Sequence, residues 1–251
     1  MARTYVVTGS TSGIGRAVRR ALEAQGHRVI GVDLRDAEVT ADLTTAGGRA
    51  ALRQIDRVDA VITCAGVSAA GATPETIVRL NYFGTVATLE RLYPRLVQGS
   101  DPRAVVVTSA AALFPTDEAL VEACLAGDEE RAVALCGDDG EGVRTYSSTK
   151  RALARWVRRA APGEAWAGKG IPLNAVAPGV IRTPMTRARL DDPVLRGQMM
   201  SALSMPLRWP GEPEDVASLL VYLAGPTNTL VTGQHVFVDG GFEAWARGDR
   251  Y

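Results

Sequence analysis

Thr4-Tyr5-Val6-Val7-Thr8-Gly9-Ser10-Thr11-Ser12-Gly13-Ile14-Gly15 is the stretch on which the reading of this chain turns. Thr4–Thr8 is a run of β-branched and aromatic residues, the mark of a buried strand. From Gly15 to Gln25 the apolar residues share one helical face, with Ala17, Val18, Ala21 and Leu22 opposite Arg16, Arg19, Arg20 and Glu23. Between strand and helix, glycines let the backbone turn sharply, let a pyrophosphate approach and let the helix pack close to the strand. The helix start then offers its unpaired N–H groups and partial positive charge to the phosphates. The spacing differs from G-x-G-x-x-G, and a Gly/Ser-rich connection is the plain alternative for such a string taken alone. What that alternative lacks is an acid about 20 residues on, at the end of a second strand. Asp33 closes the strand-like run Arg28–Asp33, where a carboxylate can accept both adenosine-ribose hydroxyls and repel a 2′-phosphate. Leu34 beside it is not basic, which points to NAD, while Arg16 and Arg35 leave NADP open.

Working outward, the same alternation continues to the end of the chain. Glu38–Ala41 reads as a short third strand, and Asp59–Thr63, Ala104–Thr108, Ile171–Ala177 and Val236–Val238 supply four more. Leu43–Arg53, Pro74–Leu96, Thr145–Ala161 and Glu214–Leu223 are the helical candidates between them. Near-continuous apolar strands alternating with helices imply a parallel sheet covered on both faces. The expected fold is therefore α/β, a single-domain doubly wound Rossmann fold over residues 1–251 with about seven parallel strands. Two segments exceed a minimal alternation. Phe114–Val143 inserts two short helices, Asp117–Ala126 and Asp128–Cys136, stopped by Gly127 and Gly137. Pro184–Leu207 is a strand-to-helix excursion carrying Met185, Met199, Met200 and Met205.

Composition excludes several function classes. The chain has 251 residues, 46% of them hydrophobic, and 28 basic residues balance 28 acidic ones. A general binder of nucleic acid or of an anionic membrane would carry a basic excess, so neither partner is expected. Three scattered cysteines and two histidines offer no ligand spacing, so no metal is expected. No run approaches the roughly 18 apolar residues of a membrane span. Met1-Ala2-Arg3 leads straight into the first strand, and the expectation is a reduced, cytoplasmic protein.

The chemistry concentrates in Thr145-Tyr146-Ser147-Ser148-Thr149-Lys150, which opens a helix and sets Tyr146 and Lys150 one turn apart on a shared face. A free phenol has a pKa near 10, too high for a base at neutral pH. An ammonium about 4 Å away, at an effective dielectric of about 20, would favour the phenolate by about 4 kcal/mol, or roughly three pK units. That brings the phenol into the range of general acid–base work. Lys150 and Lys169 are the only lysines among 28 basic residues, and arginine's wide fork would be a poorer point charge. The plain alternative is a surface Tyr–Lys pair. Ser109, closing the Ala104–Thr108 strand, would face a ligand at the carboxyl ends of the strands and could donate to a carbonyl oxygen. A serine there also commonly caps the next helix. Asn81 interrupts a helical stretch and is expected to break it by competing for backbone bonds; it reads equally as a buried structural amide. Cys64-Ala65-Gly66 follows a strand as a small-residue turn, with no sign of a reactive thiol.

Taken together, these residues resemble the short-chain dehydrogenase/reductase family over essentially the whole chain. The match runs through TGxxxGIG at Thr8–Gly15, the strand-end Asp33, Asp42–Leu43, Ala65–Gly66, Asn81, Ser109, YxxxK at Tyr146–Lys150, PGxxxT at Pro178–Thr183 and the closing Asp239-Gly240-Gly241. Gly31–Ala50, Leu80–Thr85 and the inserted helices before Tyr146 further resemble its bacterial 3α-hydroxysteroid dehydrogenase/carbonyl reductase subgroup.

The resemblance implies roles position by position. Gly9, Ser12, Ile14 and Gly15 would hold the pyrophosphate, Asp33 the adenosine ribose, and Asp42 with Leu43 the adenine. Cys64, Ala65 and Gly66 would pass beside the cofactor's ribose, the family often having Asn where Cys64 stands. Ile181 and Thr183 would hold the nicotinamide carboxamide. Tyr146 would be the acid/base, Ser109 the partner of the carbonyl oxygen, and Lys150 would tune the phenol and bind the nicotinamide ribose. Asn81 would position a water in a proton relay behind Lys150, and residues 184–207 would form a substrate lid. The expected activity is NAD(P)-dependent interconversion of a secondary alcohol and a ketone, on a hydroxysteroid or other small hydrophobic carbonyl compound. The same chemistry on a smaller aromatic or aliphatic alcohol is one alternative, and a non-catalytic dinucleotide-binding regulator another. Four methionines in the lid suit an adaptable apolar surface, or simply fill core. Arg151, Arg155, Arg158 and Arg159 make one face of the Tyr146 helix, read as solvated. With the nearby insertion they argue for a homodimer through another surface rather than a tetramer through this helix.

Overall fold

A strand that is apolar throughout needs cover on both sides, because alternate residues face opposite ways. The computed structural model, which describes residues 2–137 and 142–250, meets that need with two separate cores. The first half of the chain forms β1 (Thr4–Thr8), α1 (Gly13–Ala24), β2 (Arg28–Asp33), β3 (Val39–Thr40), α2 (Ala46–Ala51) and β4 (Ala60–Thr63). A long helix follows as α3 (Pro74–Ile77), a π-helical turn (Val78–Gly84) and α4 (Thr85–Leu96), leading to β5 (Arg103–Val107). Then come α5 (Glu118–Leu125), α6 (Glu129–Leu135), α7 (Val143–Ala160) and β6 (Leu173–Pro178). The chain closes with α8 (Pro184–Asp191), α9 (Pro193–Ala202), α10 (Pro213–Ala224), β7 (His235–Val238) and α11 (Phe242–Arg247).

All pairings are parallel, and the seven strands lie in the order β3-β2-β1-β4-β5-β6-β7. Val6, Ile30, Val32, Val61 and Val106 face one core, under Leu89, Leu92 and Leu96 of α4 and Leu153 and Val157 of α7. Tyr5, Val7, Val29, Ile62 and Val105 face the other, under Val18 and Leu22 of α1 and Val216, Leu220 and Leu223 of α10. Strand order reverses between β1 and β4, so their connections leave in opposite directions and a crevice opens above their carboxyl ends. The expected doubly wound single domain is thus observed.

Three details differ from expectation. Asn81 does not break its helix: the helix widens into the π-helical turn and continues into α4. The reason is that the Asn81 amide bonds to the main chain of Val67, not to its own helix, so nothing local competes with the ladder. α11 and a 3-10 turn at Ala110–Leu113 were not anticipated. The arginine face of α7, expected to be solvated, is so only in its second half: Arg158 and Arg159 are exposed, while Arg151 and Arg155 are half-buried against the chain before and within the insertion. Arg151 donates to the carbonyls of Ala112 and Phe114, Arg155 pairs with Glu118 and Glu122, and Asp117 N–H donates to Ser148 Oγ.

The insertion carries the two expected helices, each begun by an aspartate that accepts a first-turn N–H: Asp117 from Leu120 and Asp128 from Arg131, both at 3.1 Å. Its last part, residues 138–141, lies outside the described residues. α6 is tied across to α2 and the π-helical turn. Arg49 grips both oxygens of Glu129 at 2.6 and 2.8 Å, and Arg79 adds a bond at 3.2 Å. Burial alone would push the Glu129 carboxyl up, but the hydrogen bonds and charge of Arg49 and Arg79 hold it below the usual carboxylate range. A carboxyl held down in the folded state adds stability above its unfolded pKa and loses it as the pH falls through the folded value. Glu129→Gln should therefore lower the unfolding free energy by about 1–2 kcal/mol at neutral pH. In urea melts the gap between the two proteins should close as the pH drops below about 4; a gap independent of pH would show that Glu129 does not act through its charge.

Candidate active site

The crevice above β1 and β4 is a cleft of about 480 Å³. Its floor exists because two glycines lack side chains. Gly9 has φ +66°, and a Cβ there would lie 2.8 Å from the amide nitrogen of Ala65. A Cβ on Gly15 would lie 2.1 Å from the carbonyl oxygen of Gly9. The first turn of α1 therefore sits directly on the strand end. Ser12 begins that helix without a side-chain cap and no acid occupies its first turn, which leaves its N–H groups for an anion.

Along one wall, Asp33 lines the cleft from the end of β2. Its Oδ2 accepts from the N–H of Thr11 at 3.0 Å and from the Thr11 hydroxyl at 2.8 Å, and its Oδ1 accepts from Leu34 N–H at 2.8 Å. Farther out, Asp42 reaches the cleft edge while its Oδ1 takes the N–H and hydroxyl of Thr44, and Leu43 is buried against the π-helical turn. Cys64, Ala65 and Gly66 carry the opposite wall, with Ala65 N–H donating to Thr8 Oγ1 at 3.0 Å. Burial pushes the Cys64 thiol up to about 12, in keeping with an unreactive residue. Ile181 and Thr183 close the far end. Thr186, which sequence reasoning passed over, holds that corner by accepting from Thr183 N–H at 3.0 Å and donating to the Ile181 carbonyl at 2.6 Å. The T-x-x-T spacing after Pro178 was the available signal.

Tyr146, Lys150 and Ser109 meet where β5 ends beneath α7. Lys150 is 5% exposed, its Nζ lies 5.7 Å from the centre of the Tyr146 ring, and it donates to the Val107 carbonyl at 3.2 Å. Ser109 Oγ caps the 3-10 turn by accepting from Ala111 N–H at 3.1 Å, so the capping and site-facing readings hold together. Asn81 is fully buried and does not line the cleft. Its Oδ1 accepts from Val67 N–H and its amide donates to the Val67 carbonyl, both at 2.9 Å. A Cβ on Gly66 would lie 3.1 Å from Asn81 Oδ1 and 3.6 Å from Lys150 Nζ, which puts both side chains on the side of the backbone that a Gly66 side chain would occupy.

The electrostatics differ from the expected ion pair. Burial raises the Tyr146 phenol above its ordinary value, and the Ser109 hydroxyl offsets this only in part. Burial likewise pulls Lys150 down to about 8. The ammonium faces the ring rather than sitting about 4 Å from a phenolate, so loss of water outweighs attraction. An ammonium has three N–H donors. Among the described residues Lys150 has one hydrogen-bond acceptor, so donors remain for a ligand.

Comparison with known proteins extends over the whole chain. Residues 136–243 match a family model described as Enoyl-(Acyl carrier protein) reductase. A 3-alpha-hydroxysteroid dehydrogenase/carbonyl reductase of Comamonas testosteroni is 36% identical over 96% of this chain and 97% of its own length. A galactitol 2-dehydrogenase (L-tagatose-forming) of Cereibacter sphaeroides is 30% identical over 95% of this chain and 94% of its own. The crystal structure of a 3-alpha-hydroxysteroid dehydrogenase from Pseudomonas sp. B-0831, complexed with NADH, superposes with a TM-score of 0.91 at 38% identity, covering 99% of this chain and 100% of the other.

Two lysines make the charge state of the site accessible to NMR. After reductive 13C-methylation, one of the two dimethyl-lysine signals should titrate with a midpoint near 8. That signal should vanish in Lys150→Arg. A midpoint above 10 for the signal so assigned would contradict the desolvated placement.

Proposed function

This chain belongs to the short-chain dehydrogenase/reductase family, and on that premise we propose that it interconverts a secondary alcohol and a ketone with NAD, on a hydroxysteroid or similar hydrophobic carbonyl compound. The observation that carries the reading is the convergence of Tyr146, Lys150 and Ser109 at one end of a cleft whose other end is a side-chain-free turn at a helix start.

The residues present fit a nicotinamide dinucleotide. Gly9 and Gly15 leave a cradle that any Cβ would fill, with Ser12 and Ile14 beside it for the pyrophosphate. Asp33 offers a carboxylate for the adenosine ribose, Asp42 and Leu43 would frame the adenine, and Cys64, Ala65 and Gly66 would flank the second ribose. Ile181 and Thr183 would take the carboxamide, and the spare donors of Lys150 the nicotinamide ribose. The bound nicotinamide supplies hydride acceptance in oxidation and hydride donation in reduction.

In oxidation, Tyr146 acts as the phenolate, its Oη taking the proton of the substrate hydroxyl while the hydroxyl of Ser109 holds the substrate oxygen. Both roles reverse in reduction, where Tyr146 returns the proton to that oxygen. Lys150, protonated at neutral pH, lowers the energy of that phenolate, which is the base in oxidation and what remains after proton donation in reduction. Asn81 holds the turn that carries Val67 and Gly66, and would position a water in a proton relay behind Lys150.

Support for a hydrophobic substrate comes from the apolar cluster beside the cleft. Val180, Leu190, Leu203 and Phe242 pack with Phe114 and Trp209 under α8 and α9. Met205 belongs to this core at 7% exposure, whereas Met185 and Met200 stand exposed at 43% and 47%. Met199, half-buried, packs against the same core, so the four methionines divide between the two readings, two packing and two forming open apolar surface. No residue of α9 is buried, in keeping with a lid over residues 184–207. The relative that acts on galactitol keeps a smaller polar alcohol in view as the second substrate class. Because α5 covers one face of α7, we place a homodimer contact elsewhere. No helix among the described residues is long and apolar enough to cross a membrane, and a cytoplasmic site of action follows the same reading.

Tyr146→Phe should abolish turnover, by about a thousandfold or more, while NADH binding changes less than about twofold. Steady-state assays against steroid ketones, aromatic ketones and polyols, with a parallel fluorescence titration, check this. Full activity in the variant would overturn the acid/base assignment. A wild type faster on polyols than on steroids would overturn the substrate class.

A further inference from the structure

Thr11, in the turn between β1 and α1, plays no part in the mechanism above. Thr11 is not among the residues lining the cleft, yet it makes two bonds to Asp33, which is. Its N–H and its hydroxyl both reach the same oxygen, Oδ2, from one side, while Leu34 N–H fixes Oδ1. A carboxylate has about four lone-pair positions. Three donors from the chain itself leave little freedom to rotate, and they aim the remaining acceptor capacity outward.

The charges around this carboxylate make its orientation consequential. Arg19, on the neighbouring turn of α1, is already spent: it holds both oxygens of Glu38 at 2.9 and 2.6 Å and Glu23 at 2.8 Å. Glu38 in turn accepts from Gly31 N–H on β2 at 2.8 Å, which anchors the pair to the strand. Arg16 and Arg35 are exposed and make no ion pair or side-chain hydrogen bond among the described residues. A loosened Asp33 would no longer hold its charge in the one place where it repels a 2′-phosphate, and these two unpaired guanidinium groups would be left to favour the phosphate.

We infer that Thr11 is a specificity-positioning residue, its hydroxyl locking the Asp33 carboxylate in the one orientation that accepts ribose hydroxyls and turns away a 2′-phosphate. The inference rests on the dinucleotide reading of the cleft proposed above. It assigns cofactor choice to a pair, Thr11 with Asp33, rather than to the acid alone. A threonine that merely shaped the loop would affect NADH and NADPH alike, whereas a positioning role changes their ratio.

The test is a fluorescence titration of NADH and NADPH, without substrate, into wild type, Thr11→Val, Thr11→Ala, Thr11→Ser and Asp33→Ala, each checked for an unchanged melting profile. Removing one hydrogen bond to a charged group should cut the preference for NADH over NADPH about tenfold in Thr11→Val and Thr11→Ala. Thr11→Ser, which keeps the hydroxyl, should stay within about twofold of wild type, and Asp33→Ala should fall further than either. An unchanged ratio in the Val and Ala variants, or equal weakening of both dinucleotides, overturns the inference. A wild type that binds neither dinucleotide overturns the cofactor reading itself, and the role of Thr11 with it.

Discussion

At the point where β1 becomes α1 there is no room for a side chain, and most of what this molecule can do follows from that. Gly15 lies so close to the carbonyl of Gly9 that a single added methyl would occupy the same space, and a methyl on Gly9 would press on the backbone of Ala65. Three backbone segments therefore cross at contact distance. Interiors pack too tightly to open such a crossing without cost. The crossing brings the start of a helix, the end of β1 and the turn after β4 to one place, and it is the floor of the cleft. It also sets how far α1 stands from the sheet, and with it how Val18 and Leu22 meet Tyr5 and Val7.

The chemistry at the other end of the cleft rests on a different balance. Tyr146 and Lys150 were expected to stabilise each other as an ion pair. In the folded chain each is displaced from its ordinary titration range by loss of water, the phenol upward and the ammonium downward. Spacing along a helix fixes that two side chains share a face, but it says nothing about how much solvent either retains. What the geometry supplies is an ammonium with unused donors and a phenol beside a serine hydroxyl, poised for partners that bring their own polar groups. Coulomb's law applied at one distance overlooked the desolvation that decides the sign.

Legibility followed the length of the pattern. Strands such as Thr4–Thr8 and Arg28–Asp33 were readable to the residue because apolar runs and turn glycines bound them. The inserted helices were readable from Asp117, Asp128 and Gly127, since caps and stops are local chemistry. Asn81 was noticed as an irregularity but assigned the wrong distortion, because its bonding partner, Val67, lies fourteen residues away in the chain and on another element. The same limit hid the bridge from Arg49 to Glu129, eighty residues apart, and the cover over Arg151 and Arg155. Cleft-lining positions were recovered through motif order; those held in place by long-range contacts needed coordinates.

The widened turn at Val78–Gly84 has a bearing on how this helix can change length. A π-helical turn holds more residues than the α-helical rise it replaces, so it behaves as a surplus stored inside a continuous rod. Deleting one residue there would let the turn return to regular winding with the helix beyond it close to its present phase, whereas deleting one from the first turn of α4, where no surplus is stored, would rotate everything downstream by about 100°. Leu89, Leu92 and Leu96 now press on the sheet, and that rotation would carry them toward solvent and bring polar neighbours inward. The widened turn can thus give up a residue that the regular helix beyond it cannot, as slack in a line is taken in without moving what hangs from it.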